Sequence, residues 1–281
     1  MEDILSDFST PAVVRAIKAN WADYYHYLGR SPNAELYVGP YLTWLLTGIP
    51  DPFMNVVLHT QLPPDGAGEL IDEALAHFRS RNVTRLSWWT GEGQHETDLE
   101  KHLVARRLTF SEGGTGMAAD LRALQEDLPT PTDLTIVPVE DKETLKKWIH
   151  VANIGFGLPE SSESLWFDLF TGQVFELPVR NYLAVSNGQP VGTSQFFLSA
   201  GVAGIYNVTC LPQARQQGVG RAITLAPLLE ARKMGYRISI LQASDLGYKV
   251  YRRLGFQEYG RLSNYLWVNE TEPADSGGNS P

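Results

Sequence analysis

The 281-residue chain contains a single cysteine, Cys210, so no disulfide can form within it. Long apolar runs are also missing. None approaches the roughly 20 residues that a membrane-spanning helix needs, and the start, Met1-Glu2-Asp3, lacks the basic opening of a secretory signal. Positive charge is in deficit: 23 Lys and Arg against 32 Asp and Glu leave a net charge of −9, which argues against nucleic acid as the main partner. The histidines, at positions 26, 59, 77, 95, 102 and 150, show no metal-binding spacing, so no metal is expected. The simplest reading of these absences is a cytoplasmic protein without membrane contact. Its charge mildly favours a cationic or neutral partner.

The most informative stretch runs from Val208 to Ala222. Ile205 to Leu211 is rich in β-favouring residues, and Pro212 ends the ladder because it has no N–H. Arg215-Gln216-Gln217-Gly218-Val219-Gly220 reads as a turn, and Ala222 to Met234 carries apolar residues at helical spacing. A helix that starts at such a turn points its unpaired N–H groups outward together, an arrangement suited to a phosphate or diphosphate. Two glycines alone do not identify the ligand. The Lys-Ser/Thr of a nucleotide-hydrolysing loop is missing, as is the third glycine of a dinucleotide-binding turn.

The order Arg215-x-x-Gly218-x-Gly220 resembles the coenzyme A site of the GCN5-related N-acetyltransferase (GNAT) family. A second signature follows. Tyr236 to Gln242 reads as a strand, and Asp245 to Gly255-Phe256 as a short helix with Tyr251 four residues before the glycine, similar to the family's later signature.

Taken in order, Thr10–Leu28 reads as a helix, Glu35–Leu46 and Phe53–Gln61 as strands, and Glu69–Ser80 as a helix. Arg85–Thr90 reads as a strand and Asp98–Leu108 as a helix. Arg122–Asp133, with two prolines, reads as an extended linker. After it the pattern restarts with a strand at Leu134–Val139 and helices at Lys142–Phe156 and Ser162–Phe170. A hairpin follows around Asn187-Gly188. The restart has the form of a repeat. At an offset of 152, Gly218 and Gly220 fall on Gly66 and Gly68, and Arg237 and Ser239 on Arg85 and Ser87. At an offset of 146, Arg252-Arg253-Leu254 falls on Arg106-Arg107-Leu108. The expected architecture is α/β (α+β): two GNAT-like domains in tandem, each a twisted mixed sheet flanked by helices. The first, 1–121, is degenerate, with Pro63, Asp65 and Ala105 where the second has Arg215, Gln217 and Tyr251. The linker is 122–133, the catalytic domain 134–269, and 270–281 a disordered tail.

The resemblance implies roles for particular residues. The backbone edge of Val208, Thr209 and Cys210 would pair with the pantetheine arm as an added strand does. Amides from Gln216 through Gln217, Gly218, Val219, Gly220 and Arg221 to Ala222 would hold the diphosphate, and Arg215 or Arg221 would add charge. Tyr251 would stabilise or protonate the leaving thiolate, with Tyr248 as its competitor. Asp245 would cap its helix and touch the cofactor. Cys210 reads as a small hydrophobe and not a nucleophile. His150 reads as a lone surface residue. Glu160, Glu163 and Asp168 lie where this fold meets its acceptor, yet each reads first as part of a solvated face, and the general base stays open. Trp148, Phe156, Trp166, Phe167 and Phe170 read as core. Pro227 should kink the helix near Ile223. The implied function is acetyl transfer from acetyl-CoA to a primary amine of a small molecule or peptide by direct attack. The alternative is a non-catalytic acyl-CoA-binding or regulatory protein.

Overall fold

A computed structural model describes residues 3–63, 65–91, 98–127 and 131–269. The tail reading for 270–281, the middle of the linker and His95 lie outside the described residues. In chain order the elements are α1 (Thr10–Leu28), β1 (Glu35–Val38), β2 (Leu42–Leu46), β3 (Asn55–Thr60), α2 (Ala67–Ser80), β4 (Arg85–Gly91), α3 (Asp98–Ala105), β5 (Thr109–Asp120), β6 (Leu134–Pro138), α4 (Lys142–Phe156), α5 (Ser162–Phe170), β7 (Val179–Ser186), β8 (Gln189–Ser199), β9 (Val202–Cys210), a 3₁₀ turn at Pro212–Ala214, α6 (Val219–Lys233), β10 (Ile238–Ala243), α7 (Asp245–Leu254) and β11 (Gln257–Val268). Among the described residues no helix is long and apolar enough to cross a membrane.

The chain forms two compact units, and neither is continuous in sequence. The first combines Met1–Ala34 with Gly113–Leu262, and the second Glu35–Glu112 with Ser263–Pro281. The tandem boundaries read from the sequence therefore do not coincide with the compact units at either end. Helix α1 belongs to the first unit because its apolar stripe, Val13, Ala16 and Ile17, packs on Ala118, Val202, Ile238 and Ile240. Residues 122–127 are not a free spacer either. Leu124 is buried, the Gln125 N–H donates to the Leu254 carbonyl, and Glu126 pairs with Arg232.

In the first unit the sheet runs β5-β10-β9-β8-β7-β6. All these neighbours are antiparallel except β9 and β10. The β7–β8 hairpin turns at Asn187 and Gly188 with φ of 49° and 76°, the mirror-image turn whose twist matches the strands. One face carries the larger core, with Tyr182, Phe196, Ile205, Ile223, Leu241 and Phe256 packed against α6 and α7. Each such side chain contributes about 1.5–3 kcal/mol by leaving water. Pro227 does lie inside α6. The carbonyl it leaves without a helical donor, that of Ile223, accepts from the Ser194 hydroxyl of β8 at 2.6 Å, so the lost bond is replaced.

The second unit has the order β1-β2-β3-β4, with residues 263–268 of β11 antiparallel to β4. The single strand expected over Glu35–Leu46 is a hairpin, broken at Gly39-Pro40, where proline cannot donate to a ladder. Its core is Trp88, Phe78, Leu75 and Trp267. The element order β3–α2–β4–α3 repeats β9–α6–β10–α7. Both first strands are parallel to their partners, and both helices start at a left-handed glycine, Gly66 (φ 77°) and Gly218 (φ 87°). The later helices end out of step with the 146-residue offset: the left-handed residue is Gly255 in one and Arg107 in the other.

Candidate active site

The site in the first unit begins with a strand that leaves its neighbour. β9 pairs with β10 only at Ala203, Gly204 and Ile205, opposite Ser239, Ile240 and Leu241. It keeps β8 as far as Cys210, opposite Gly192. A bulge between Thr193 and Gln195 marks the divergence, with Asn207 left-handed at φ 51°. Three contacts pin that conformation. The Asn207 amide donates to Gln195 Oε1 at 3.1 Å and to the Tyr24 hydroxyl at 3.0 Å, and its carbonyl accepts from Thr193 Oγ1 at 2.8 Å. Beyond Ile205 the β10-facing edge of β9 is left open, a template for an added strand.

That edge runs into the turn before α6. Gln216 and Gly218 both take positive φ, 61° and 87°. The first intrahelical bond is Ala222 N–H to the Gly218 carbonyl at 3.0 Å. The Ala222 amide is therefore committed to the helix and is not a diphosphate donor, a correction to the sequence reading. The N–H groups of the first turn, Val219 to Arg221, precede that bond and sit at the positive end of the dipole. The Val219 side chain is core. Gln217 closes the turn by donating to the Gln213 carbonyl at 2.7 Å. Arg215 donates to the carbonyls of Cys210, at 3.2 Å, and Gly155, at 3.4 Å, so it ties the end of β9 to α4 and occupies the Cys210 carbonyl. Arg221 is buried at 8% exposure, and burial lowers its pKa from the ordinary arginine value. The Thr209 side chain lies against Gly155. A Cβ on that glycine would come within 2.4 Å of Thr209 Oγ1, so the glycine permits the close approach of α4 to β9. Val208 packs at the margin of the main core.

Cys210 stands beside Gly220, whose Cβ position lies 3.6 Å from the thiol sulfur. Burial pushes that thiol up to about 11, with Arg215 opposing more weakly. At neutral pH it is protonated and a poor nucleophile. Cys210→Ala is accordingly expected to keep turnover within a few-fold of the parent. A loss beyond about 100-fold in a folded variant, with acyl-cysteine detectable by mass spectrometry in the parent, would reverse that assignment.

Tyr251 is buried at 7% exposure on α7, packed edge-on to Phe256 at 6.0 Å between centroids. Its hydroxyl makes no hydrogen bond among the described residues. Its pKa is raised, first by burial and then by the nearby Cys210 thiol, which puts the phenol beside the β9 edge. The ring lies over Gly247, where a Cβ would sit 2.6 Å from Tyr251 Cε2. Gly247 is a positioning residue that the sequence reading passed over; its signal is the spacing of four residues before Tyr251. Tyr248, the competitor, is half-buried at the margin of the main core, and its hydroxyl donates to the Glu258 carboxylate. Asp245 does not cap α7. The cap is Ser244, whose hydroxyl accepts from the Gly247 N–H at 3.3 Å, and Asp245 sits in the first turn, where its charge favours the dipole.

On the α1 side of the bulge lies a polar group that the sequence reading missed. The Tyr24 and Tyr206 rings stack at 4.1 Å. The Tyr206 hydroxyl donates to Asn20 Oδ1 at 2.8 Å, and the fully buried Asn20 donates to the Phe197 and Ser199 carbonyls. Asn20, a polar residue on an otherwise apolar helix stripe, was the available signal. His150 is not lone: its Nδ1 lies 2.8 Å from Glu163 Oε1, which removes Glu163 from the free carboxylates. The Asp168 carbonyl accepts from Asn33 at 3.0 Å. Trp148, Trp166 and Phe170 form a buried cluster as expected, whereas Phe156 is exposed.

The geometry can take an extended amide chain along β9, hold an anion at α6 and present a phenol at their junction. Comparisons with known proteins bear on the fold of the chain. The family model for an acetyltransferase (GNAT) domain matches residues 178–258, which span β7 to the start of β11. No curated protein matches the chain. Among solved structures, a GCN5-related N-acetyltransferase from Kribbella flavida is 20% identical with a TM-score of 0.63, covering 91% of this chain and 95% of that one. A tandem GNAT protein from the clavulanic acid biosynthesis pathway is 16% identical with a TM-score of 0.58, covering 97% and 99%. A GCN5-related N-acetyltransferase from Sphaerobacter thermophilus is 17% identical with a TM-score of 0.56, covering 95% and 94%. At these identities the solved structures speak for the fold alone: the chain has a GNAT-like fold, and residues 178–258 of its first unit match the acetyltransferase (GNAT) domain model.

Proposed function

We propose that the first unit transfers an acetyl group from acetyl-CoA to a primary amine of a small molecule or peptide by direct attack. The observation that carries this reading is the divergence of β9 from β10 after Ile205, beside the start of α6 and the Tyr251 hydroxyl. The thioester supplies an activated acyl group. The chain supplies the rest. The open edge from Tyr206 to Cys210 orients the amide-bearing arm, and the first-turn N–H groups of α6 hold its diphosphate. Tyr251 donates a hydrogen bond where the sulfur gains charge. β9 offers no carboxylate, so the incoming amine is expected to lose its proton to solvent. Thiol release from acetyl-CoA, measured with a panel of primary amines, tests the reading. Saturable CoA binding with no turnover on any amine would favour the non-catalytic alternative.

The second unit, in this proposal, is a degenerate copy that binds no CoA. Its equivalent gap is filled. β3 pairs with β4 at Val56 and Val57, and beyond them the buried Trp88 indole donates to Thr60 Oγ1 at 2.8 Å. Over the first turn of α2, Arg106 donates to the Gly68 carbonyl at 2.9 Å and is clamped on Asp72 by two bonds of 2.7 Å. A guanidinium thus lies where a diphosphate would. Calorimetry is expected to give one CoA per chain, and a stoichiometry of two would contradict the assignment. Putting arginine at 63 and glutamine at 65 should not raise the stoichiometry, because Trp88 and Arg106 remain.

A further inference from the structure

The second unit carries a groove of about 200 Å³ between the β1–β2 hairpin and α2 that acyl transfer does not use. On the helix side, Leu70, Glu73, Ala74 and His77 recur at the three- and four-residue spacing that puts side chains on one stripe. On the sheet side stand Tyr37, Tyr41 and Trp44. Tyr37 and Trp44 are cross-strand partners, so their side chains rise from the same face, and the rings stack at 4.0 Å. Gly39 makes room for this arrangement: a Cβ there would fall 2.4 Å from the Tyr37 hydroxyl oxygen. Tyr41 is exposed and its ring stacks on no other among the described residues. Its backbone is nevertheless fixed, because the Gln61 N–H donates to its carbonyl at 2.8 Å. The aromatic wall is thus set in place by the hairpin itself.

Charge decides what the groove can hold. Among the described residues no Lys or Arg lines it. His77 and Arg81 close on the two oxygens of Glu35, at 2.6 and 2.8 Å. Glu73 is exposed, and among the described residues its carboxylate has no ion-pair or hydrogen-bond partner. Aromatic rings present a negative face, and a free carboxylate beside such rings favours a cation with an apolar body over an anion or a neutral polar group. We propose that this groove binds a small organic ammonium ion, its apolar body against Tyr37, Tyr41 and Leu70 and its charge toward Glu73. The site is independent of the Gly218 turn and of the acyl-transfer reading, whose amine is held by the first unit.

Phenethylammonium titrated into the full chain by calorimetry tests it, with 2-phenylethanol as the neutral control and 3-phenylpropionate as the anionic one. Saturable binding of the ammonium is expected, at least about fivefold tighter than either control, the scale of an exposed cation–π contact and ion pair together. Tyr41→Leu keeps apolar area but removes the ring and should weaken binding about fivefold, whereas Tyr41→Phe should hold it within about twofold. Glu73→Gln should cut the preference over phenylethanol about threefold. Both positions are exposed, so the variants should fold, and unchanged thermal unfolding without ligand checks that. CoA binding should be unchanged in all three. Ammonium binding that ignores both Tyr41→Leu and Glu73→Gln belongs to another site, the amine acceptor's included, and overturns the proposal. Equal affinity for phenylethanol overturns the cation assignment, and so does the absence of ammonium binding. A dimer that dissociates in Tyr41→Leu and excludes the ammonium would make a second copy the occupant, which also overturns it.

Discussion

Tyr251→Phe is expected to lower kcat by about 10²-fold, the low end of the range for general acid catalysis, while acetyl-CoA affinity barely changes. The low end follows from the site. Burial raises the Tyr251 pKa above that of a free phenol, and so above that of an ordinary thiol. Complete proton transfer to a thiolate would then run uphill. The hydroxyl acts instead as a hydrogen-bond donor as the sulfur gains charge, an interaction that belongs to the transition state and not to the bound substrate. Because the pKa is raised, the phenol stays protonated across neutral and mildly alkaline pH. The ratio of parent to variant kcat should therefore be flat from about pH 7 to 9. Single-turnover measurement is the fair readout, since slow product release would mask the loss. Tyr248→Phe is the control. That hydroxyl is already spent on Glu258, so its removal should leave kcat within a few-fold. If Tyr248→Phe is the damaging change, or if Tyr251→Phe is silent in single turnover, the role assigned to Tyr251 is wrong.

Much of this site was legible because its chemistry is local in sequence. The turn from Arg215 to Gly220 announces a left-handed start to a helix, and Gly218 adopts it. Tyr251 and its closing Gly255 sit on one short helix. Lys142–Phe156 and Ser162–Phe170 form over the spans that periodicity indicates. What stayed hidden depends on partners distant in sequence. β5 precedes the linker yet residues 115–120 pair with β10 of the first unit, and residues 263–268 pair with β4 of the second. Strand propensity says nothing of which edge a strand will join, and the usual preference for sequential neighbours misleads here. The bulge at Asn207 was hidden for the same reason. Its side-chain partners lie on β8 and α1, 12 and 183 residues away. Ser244 displaced Asp245 as the cap because capping needs an extended residue just outside the helix, and a boundary one residue off changes which side chain that is. Trp88 and Arg106 are ordinary core and surface residues in a sequence. Only the structure puts them in the gap of the second unit.

Gly220→Leu is expected to abolish measurable CoA binding, a loss above about 100-fold, in a protein that unfolds no earlier than the parent. Gly220 and Gly218 are not equivalent. Gly218 sits at φ 87°, so any side chain there strains the turn, and lost affinity would be confounded with lost structure. Gly220 lies within α6, in ordinary helical backbone. An added Cβ would meet only the Cys210 sulfur, at 3.6 Å, which is normal contact. Replacing a helical glycine even removes a conformational cost of about 0.5–1 kcal/mol. A side chain at 220 thus leaves the fold alone and points toward Cys210, into the space beside the open edge of β9. Alanine reaches only as far as that contact and should cost little affinity, whereas leucine extends into the groove and should exclude the pantetheine arm. The pair of variants separates a backbone cradle from a side-chain site. If Gly220→Leu binds CoA as the parent does while remaining folded, the cofactor does not lie between β9 and the start of α6. If Gly220→Ala is as damaging as leucine, the diphosphate approaches the helix closer than a methyl group allows, and the first-turn N–H groups carry more of the affinity than the β9 edge.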